Sequence, residues 1–296
     1  MELKDKNGLT EKEYLAQYKP KDYERPSVAT DMVIFTAVNC YEDNYRRIPQ
    51  KELKVLLIKR GGHPYLGMWA LPGGFVNPDE TTEQAAKREL IEETGVDNIY
   101  LEQLYTFSTP HRDPRMWVMS CSYMALIDSS KVNVQAGDDA QQAEWFTVDF
   151  STISNNIDYN QEGFVKVTNY RLTLTNGDIQ LSANIKHTKT RKNTGIENDY
   201  CLTENNGLAF DHAQIIAFAV ERLRGKVTYT DIALNLMPEY FTLTELQQVY
   251  EIILNKTLLK APFRRKYSYL AEETDKLTKD AGHRPSRLYK RKWKIE

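Results

Sequence analysis

Between Gly74 and Val96 the chain reads GFVNPDETTEQAAKRELIEETGV, and this stretch leaves few structural options. Asn77-Pro78-Asp79 is turn material, and Thr81 or Thr82 can cap a helix entering at Glu83. Ala85 to Leu90 are good helix formers, and Gly95 stands where a glycine stops a helix. On such a helix Glu89, Glu92 and Glu93 fall at i, i+3 and i+4 and share one side. Like charges so placed repel by roughly a few tenths of a kcal/mol per pair, so an isolated helix gains nothing from them. A divalent cation that prefers hard oxygen ligands, Mg²⁺ or Mn²⁺, reverses the sign. The competing interpretation is a solvated, salt-bridged helix face.

Nine specified positions decide between them: Gly74, Glu80, Arg88-Glu89-Leu90, Glu92-Glu93 and Gly95-Val96. Their spacing resembles the Nudix box, the loop–helix–loop of hydrolases that cleave nucleoside diphosphates linked to another moiety. The preceding Gly67-Met68-Trp69-Ala70-Leu71-Pro72-Gly73-Gly74 also resembles the lead-in segment of that family. The resemblance implies that Glu89, Glu92 and Glu93 bind metal, with the Gly73 carbonyl as a further ligand. It implies that Arg88 pairs with Glu80 to brace the loop. It also implies an α/β/α sandwich around a mixed sheet, hence an α+β fold.

The rest of this domain fits. Val28 to Asn39 and Leu53 to Lys59 are apolar runs suited to strands, as are Ile99 to Phe107 and Met116 to Ile127. Glu144-Trp145-Phe146 resembles the closing segment of Nudix domains, with the aromatic pair inside. His111-Arg112-Asp113-Pro114-Arg115 resembles a segment of ADP-ribose-type members. Its Arg112 and Arg115 are candidates to clamp phosphate or ribose oxygens, and Asp113 to fix the turn. The resemblance also implies a catalytic carboxylate from the loop at Asp138 or Asp139, although turn-forming Asp after Gly137 is the plainer reading of the residues.

Charge is uneven along the 296 residues. From Asn255 to Glu296 thirteen Lys or Arg face five Asp or Glu, a net +8 in a chain whose total is −2, so residues 1–254 carry −10. A basic tail of folded character points to an anionic partner. Three widely separated cysteines, Cys40, Cys121 and Cys201, suit neither a zinc motif nor an even disulfide framework. No apolar leader or 18-residue apolar run is present, so a soluble cytoplasmic protein without a membrane partner is expected.

The tail has a helical pattern. Asp211 can cap a helix from His212 to about Leu223, closed by Gly225, and a short helix follows near Thr228 to Leu236. Thr242 and Thr244 open a helix over Leu243 to Leu254 that buries Leu246, Val249, Tyr250 and Ile253. Lys260-Ala261-Pro262 starts a basic helix, and Gly282 to Tyr289 is a basic turn with a returning strand. This order resembles the winged helix-turn-helix of Nudix-related transcriptional regulators of NAD or sugar metabolism. On that resemblance Lys260, Arg264, Arg265 and Lys266 face the groove and phosphates of double-stranded DNA, with Arg284 and Arg287 in the wing. The expected division is an N-terminal extension over 1–27, a Nudix domain over 28–150, a β-hairpin insertion over 151–206 and a winged-helix domain over 207–296. Within the insertion, Asn176-Gly177 is a hairpin turn, and KHTKTRKNTGIENDY is read as a mobile loop.

Two functions compete. The box, with none of its acids replaced, favours Mg²⁺-dependent (or Mn²⁺-dependent) hydrolysis of a nucleotide-sugar or ADP-ribose-like molecule, with ADP-ribose giving AMP and ribose 5-phosphate. Glu92, Glu93 and Arg88 would be its catalytic residues. The basic module favours a DNA-binding regulator that uses the Nudix domain as effector sensor. Hydrolysis is placed first, and a homodimer is expected on either reading.

Overall fold

The computed structural model describes residues 3–19, 21, 23–40, 49–97, 99–131, 140–278 and 285–292, leaving aside the side chains of 140 and 141. Thr10 and Glu13 form a capping box at the start of a short exposed helix, α1 (Glu11–Gln17). The first strands are β1 (Ser27–Cys40), β2 (Gln50–Arg60), β3 (Trp69–Ala70) and β4 (Gly73–Phe75). The box helix α2 (Thr82–Thr94) follows, then β5 (Tyr100–Phe107), β6 (Val118–Asp128), β7 (Ala140–Asn160), β8 (Gly163–Asn176), β9 (Ile179–Lys192) and β10 (Gly195–Asn206). Together they make one sheet in the order β10-β9-β8-β7-β2-β1-β6-β5, with β3 on β2 and β4 on β1. The β1–β6 pair is parallel and the other pairs are antiparallel, so the sheet is mixed.

Alternation along β1 assigns the two faces. Met32 and Ile34 lie on one side with Leu56, Ala125 and Ile127, where Ala86 and Leu90 of α2 cover them. Val33 and Phe35 lie on the other with Val55, Leu57 and Phe146. That second face is covered by α3 (His212–Lys226) and by the C-terminal module of α4 (Leu243–Leu254) and α5 (Lys260–Tyr267). The α/β/α sandwich is thus completed by the tail itself, and one hydrophobic core runs from the sheet through Val249, Tyr250 and Phe263.

Residues 151–206 extend this same sheet. β7 passes through Phe150 and Ser151 without a break, and the stretch expected as a mobile loop is the paired β9–β10 hairpin. The physical reason is exposure: beyond residue 151, β7 is solvated on both faces, so its side chains carry no alternation to reveal a strand. The Asn176-Gly177 turn joins β8 to β9 as expected, with Gly177 at φ 54°.

In the C-terminal module a 3₁₀ turn (Ile232–Leu236) precedes α4, whose Thr242–Glu245 capping box and left-handed Asn255 set its ends. The wing is β11 (Ala271–Leu277) and β12 (Arg287–Arg291), and a reciprocal backbone pair between Phe241 and Tyr289 ties it to the start of α4. Among the described residues no helix is long and apolar enough to cross a membrane.

Candidate functional site

Box residues meet where β4 enters α2. Thr81 caps α2 and forms a capping box with Gln84, while Gly95 closes it at φ 67° with its N–H on the Ile91 carbonyl. Arg88 donates to both oxygens of Glu80 (2.9 and 3.3 Å), and Glu80 also accepts from the Asn77 backbone N–H at 2.8 Å. The Arg88 hydrogen bond, then the Asn77 amide, hold the Glu80 carboxyl down at about 2. The brace expected from the box is therefore present.

Glu89 is buried against the Gly74 backbone; a Cβ on Gly74 would sit 2.1 Å from Glu89 Oε1. Burial pushes the Glu89 carboxyl up, although Arg88 Nη1 lies 2.6 Å from it. The same nitrogen lies 3.5 Å from the exposed Glu92, and Glu93 is buried. The guanidinium of Arg88 is thus the cation between Glu89 and Glu92. Among the described residues no three Asp, Glu, His or Cys side chains are gathered closely enough to hold a metal ion. The donor chemistry nevertheless fits Mg²⁺: hard carboxylate oxygens, one of them in a cradle that only glycine leaves open.

A cavity of about 370 Å³ opens beside Gly73, Gly74, Arg88 and Glu89. Its walls also include Asp31, Arg60, Phe75, Arg112, Arg115, Phe210 and His212. Arg115 is bidentate to Asp113 (3.0 and 2.8 Å) and lies over the rings of Phe75 and Phe210 at 5.5 and 5.9 Å. Asp113 also accepts from the Arg115 backbone N–H, which is the turn-fixing role expected for it. Arg112 differs from expectation. Its side chain is 5% exposed and donates to both oxygens of Asp211 (2.9 and 2.6 Å) and to Asp31 (3.3 Å). It forms the floor of the pocket instead of an open clamp. Asp138 and Asp139 lie outside the described residues.

Four of these wall residues carry no sequence motif: Asp31 on β1, Arg60 at the end of β2, Phe210, and His212 at the start of α3. Leu71 N–H donates to His212 Nδ1 at 2.8 Å, so in the neutral ring the proton sits on Nε2, which faces Asp31 Oδ1 at 3.5 Å. Burial alone would raise the Asp31 carboxyl; His212 and Arg112 outweigh it and hold the group well below the ordinary carboxylate range. Trp69 brings α3 to the pocket, since its backbone bonds Gly207 O and Ala209 N at 3.0 and 2.7 Å. Phe210 in the pocket wall, Tyr65 packed on its ring and His111 next to Arg112 hold left-handed φ of 51°, 62° and 62°. Each such conformation costs about 1–3 kcal/mol and persists only where its surroundings enforce it.

On α5, Lys260, Arg264, Arg265 and Lys266 are all exposed, opposite buried Phe263 and Tyr267. Arg287 is exposed on the wing and paired with Glu273; Arg284 lies outside the described residues.

The fold and site together define a Nudix-type sheet joined to a winged helix. Residues 36–159 match the NUDIX domain and residues 233–290 the NrtR DNA-binding winged helix domain. The chain is 34% identical over 288 residues to the ADPR responsive transcriptional repressor NtrR of Acinetobacter baylyi, covering 96% of this chain and 89% of that one. It belongs to this NrtR-type family of Nudix proteins. A MutT/nudix family protein from Enterococcus faecalis has a similar structure (TM-score 0.65, 32% identity, 94% of this chain and 91% of that one). So does Shewanella oneidensis NrtR complexed with a 27mer DNA (TM-score 0.59, 29% identity, 90% and 93%).

Proposed function

We propose that this protein is a DNA-binding transcriptional regulator whose Nudix pocket senses ADP-ribose. The observation that carries it is the joint between the two parts. The pocket wall, through His212, begins the helix that shares a core with the DNA-binding module, while the basic side of α5 stays open. The likeness to an ADPR responsive repressor supports the ligand, and the likeness to a DNA-bound structure supports the partner. This reverses the order expected from sequence, in which hydrolysis led. The pocket suits the ligand chemically: Arg115 and Arg88 offer charge to a diphosphate, and Phe75 and Phe210 offer ring faces to a base. Lys260, Arg264, Arg265 and Lys266 are assigned to phosphates and groove edges, and a homodimer to a two-fold operator. The test is fluorescence anisotropy with upstream DNA, titrated with ADP-ribose. Release of bound DNA is expected; binding indifferent to both DNA sequence and ADP-ribose would reject the proposal.

The complete box supports a second activity at the same pocket, hydrolysis of ADP-ribose to AMP and ribose 5-phosphate. Glu89, Glu92, Glu93 and the Gly73 carbonyl would hold Mg²⁺, which when bound neutralises diphosphate charge and activates water. Arg88 orients Glu89 and braces the loop, as it does here. AMP release with Mg²⁺, abolished in Glu93→Gln, is the expected result; no turnover in the wild type would remove this activity and leave the regulator standing.

A further inference from the structure

Asp211 begins α3, yet its side chain makes no capping hydrogen bond to the helix. Both oxygens are instead taken by Arg112, which comes from the loop before β6, 99 residues earlier. One carboxylate therefore has two alternative partners: a buried guanidinium at the pocket floor, or the open N–H groups of its own helix. An anion in the pocket competes for that guanidinium. At the other end of α3, Arg224 donates to the Ile253 carbonyl in α4 (2.9 Å) and to the Phe150 carbonyl in β7 (2.7 Å). Arg224 thus ties α3 to the helix that precedes basic α5.

We propose that Asp211 is a positioning residue that couples the pocket to the DNA-binding module. It holds Arg112 while the pocket is empty and is released to α3 when the ligand's diphosphate takes the guanidinium. This rests on the regulator reading and names its switch. It is a two-state element biased from both sites, which coupling requires in place of mere adjacency. Two features fix the pivot of that motion. His212 stays hooked to the Leu71 N–H, so the helix can turn about that point, and Gly207 to Ala209 stay bonded to Trp69.

The experiment uses the full chain without divalent metal, so that hydrolysis does not intrude. DNA affinity is measured by anisotropy without and with saturating ADP-ribose, and ADP-ribose affinity by titration calorimetry without DNA. The wild type is expected to lose DNA affinity by about 5–150-fold, the usual span of coupling between sites. Asp211→Asn, which can cap α3 but no longer hold Arg112 by charge, is expected to bind DNA about as weakly as the ADP-ribose-bound wild type, and ADP-ribose at least as tightly, because Arg112 is left with Asp31 as its one carboxylate partner. Its ratio of DNA affinities is expected to fall below about twofold, that is, to lose most of the coupling factor. Asp211→Ser, which keeps a good helix cap but no charge, gives the same reading if the first variant is unstable. A folded variant of either kind that keeps the wild-type ratio overturns the proposal. A wild type whose DNA affinity ignores ADP-ribose overturns the regulator reading itself, a result separable from the first.

Discussion

Asp31 is buried between His212 and Arg112, and the ionised form is the one its neighbours favour. Its carboxyl in the fold lies below the unfolded value of 3.8, so its contribution is full above that pH and is lost as pH falls further. Asp31→Asn is expected to cost about 1–3 kcal/mol at neutral pH, since Arg112 keeps Asp211 as a partner. The gap to wild type should narrow below pH about 4, where the Asp31 carboxyl protonates in the unfolded chain while the folded state still keeps it ionised. Urea unfolding at pH 7 and pH 3 reads this, and a gap independent of pH would refute it. Gly74 makes a second residue-level case. An added Cβ would meet Glu89 Oε1 at 2.1 Å, so Gly74→Ala must drive that carboxylate out of place. Mn²⁺ affinity, followed by electron paramagnetic resonance, is expected to drop by about 10–100-fold, as when a ligand loses its support. Unchanged affinity would show that Glu89 is not a ligand.

At the level of elements, α5 carries the clearest expectation. Its cations lie opposite Phe263 and Tyr267, so they can be removed without opening the core. Arg264→Ala with Arg265→Ala is expected to weaken DNA binding and to flatten the slope of log K against log salt by about 0.9 for each phosphate no longer neutralised. A weaker complex with an unchanged slope would place those residues away from phosphate. Elements such as α2 and α4 were legible in the sequence because capping, helix propensity and apolar spacing are local signals. The pocket floor was not. Arg112 meets Asp31 and Asp211 across separations of 81 and 99 residues, and ion pairs of that reach leave no periodic trace. Asp211 was legible as a helix start, but its carboxylate serves Arg112 in place of the cap. The outer half of β7 to β10 was obscured for the opposite reason, since a strand wet on both faces loses the alternation that identifies it.

Across the whole molecule, the second face of the sheet and the C-terminal module share one hydrophobic core. Phe35, Leu57 and Phe146 from the sheet belong with Ile216 and Val220 of α3 and with Leu246 and Tyr250 of α4. Each large apolar side chain so buried contributes roughly 1.5–3 kcal/mol, so the module cannot leave the sheet without exposing several of them. The two parts should therefore open as one cooperative unit, unlike domains joined by a linker. A ligand that binds only the folded pocket then protects residues far from it. At a concentration about 100 times its Kd, ADP-ribose should add about 2.7 kcal/mol to every amide that exchanges by global unfolding. Hydrogen exchange read by mass spectrometry should show that gain in α4 as well as in β1. Protection that rises in β1 but not in α4 would mean that the module unfolds on its own, and a pocket wired to DNA through α3 would then lack its rigid connection.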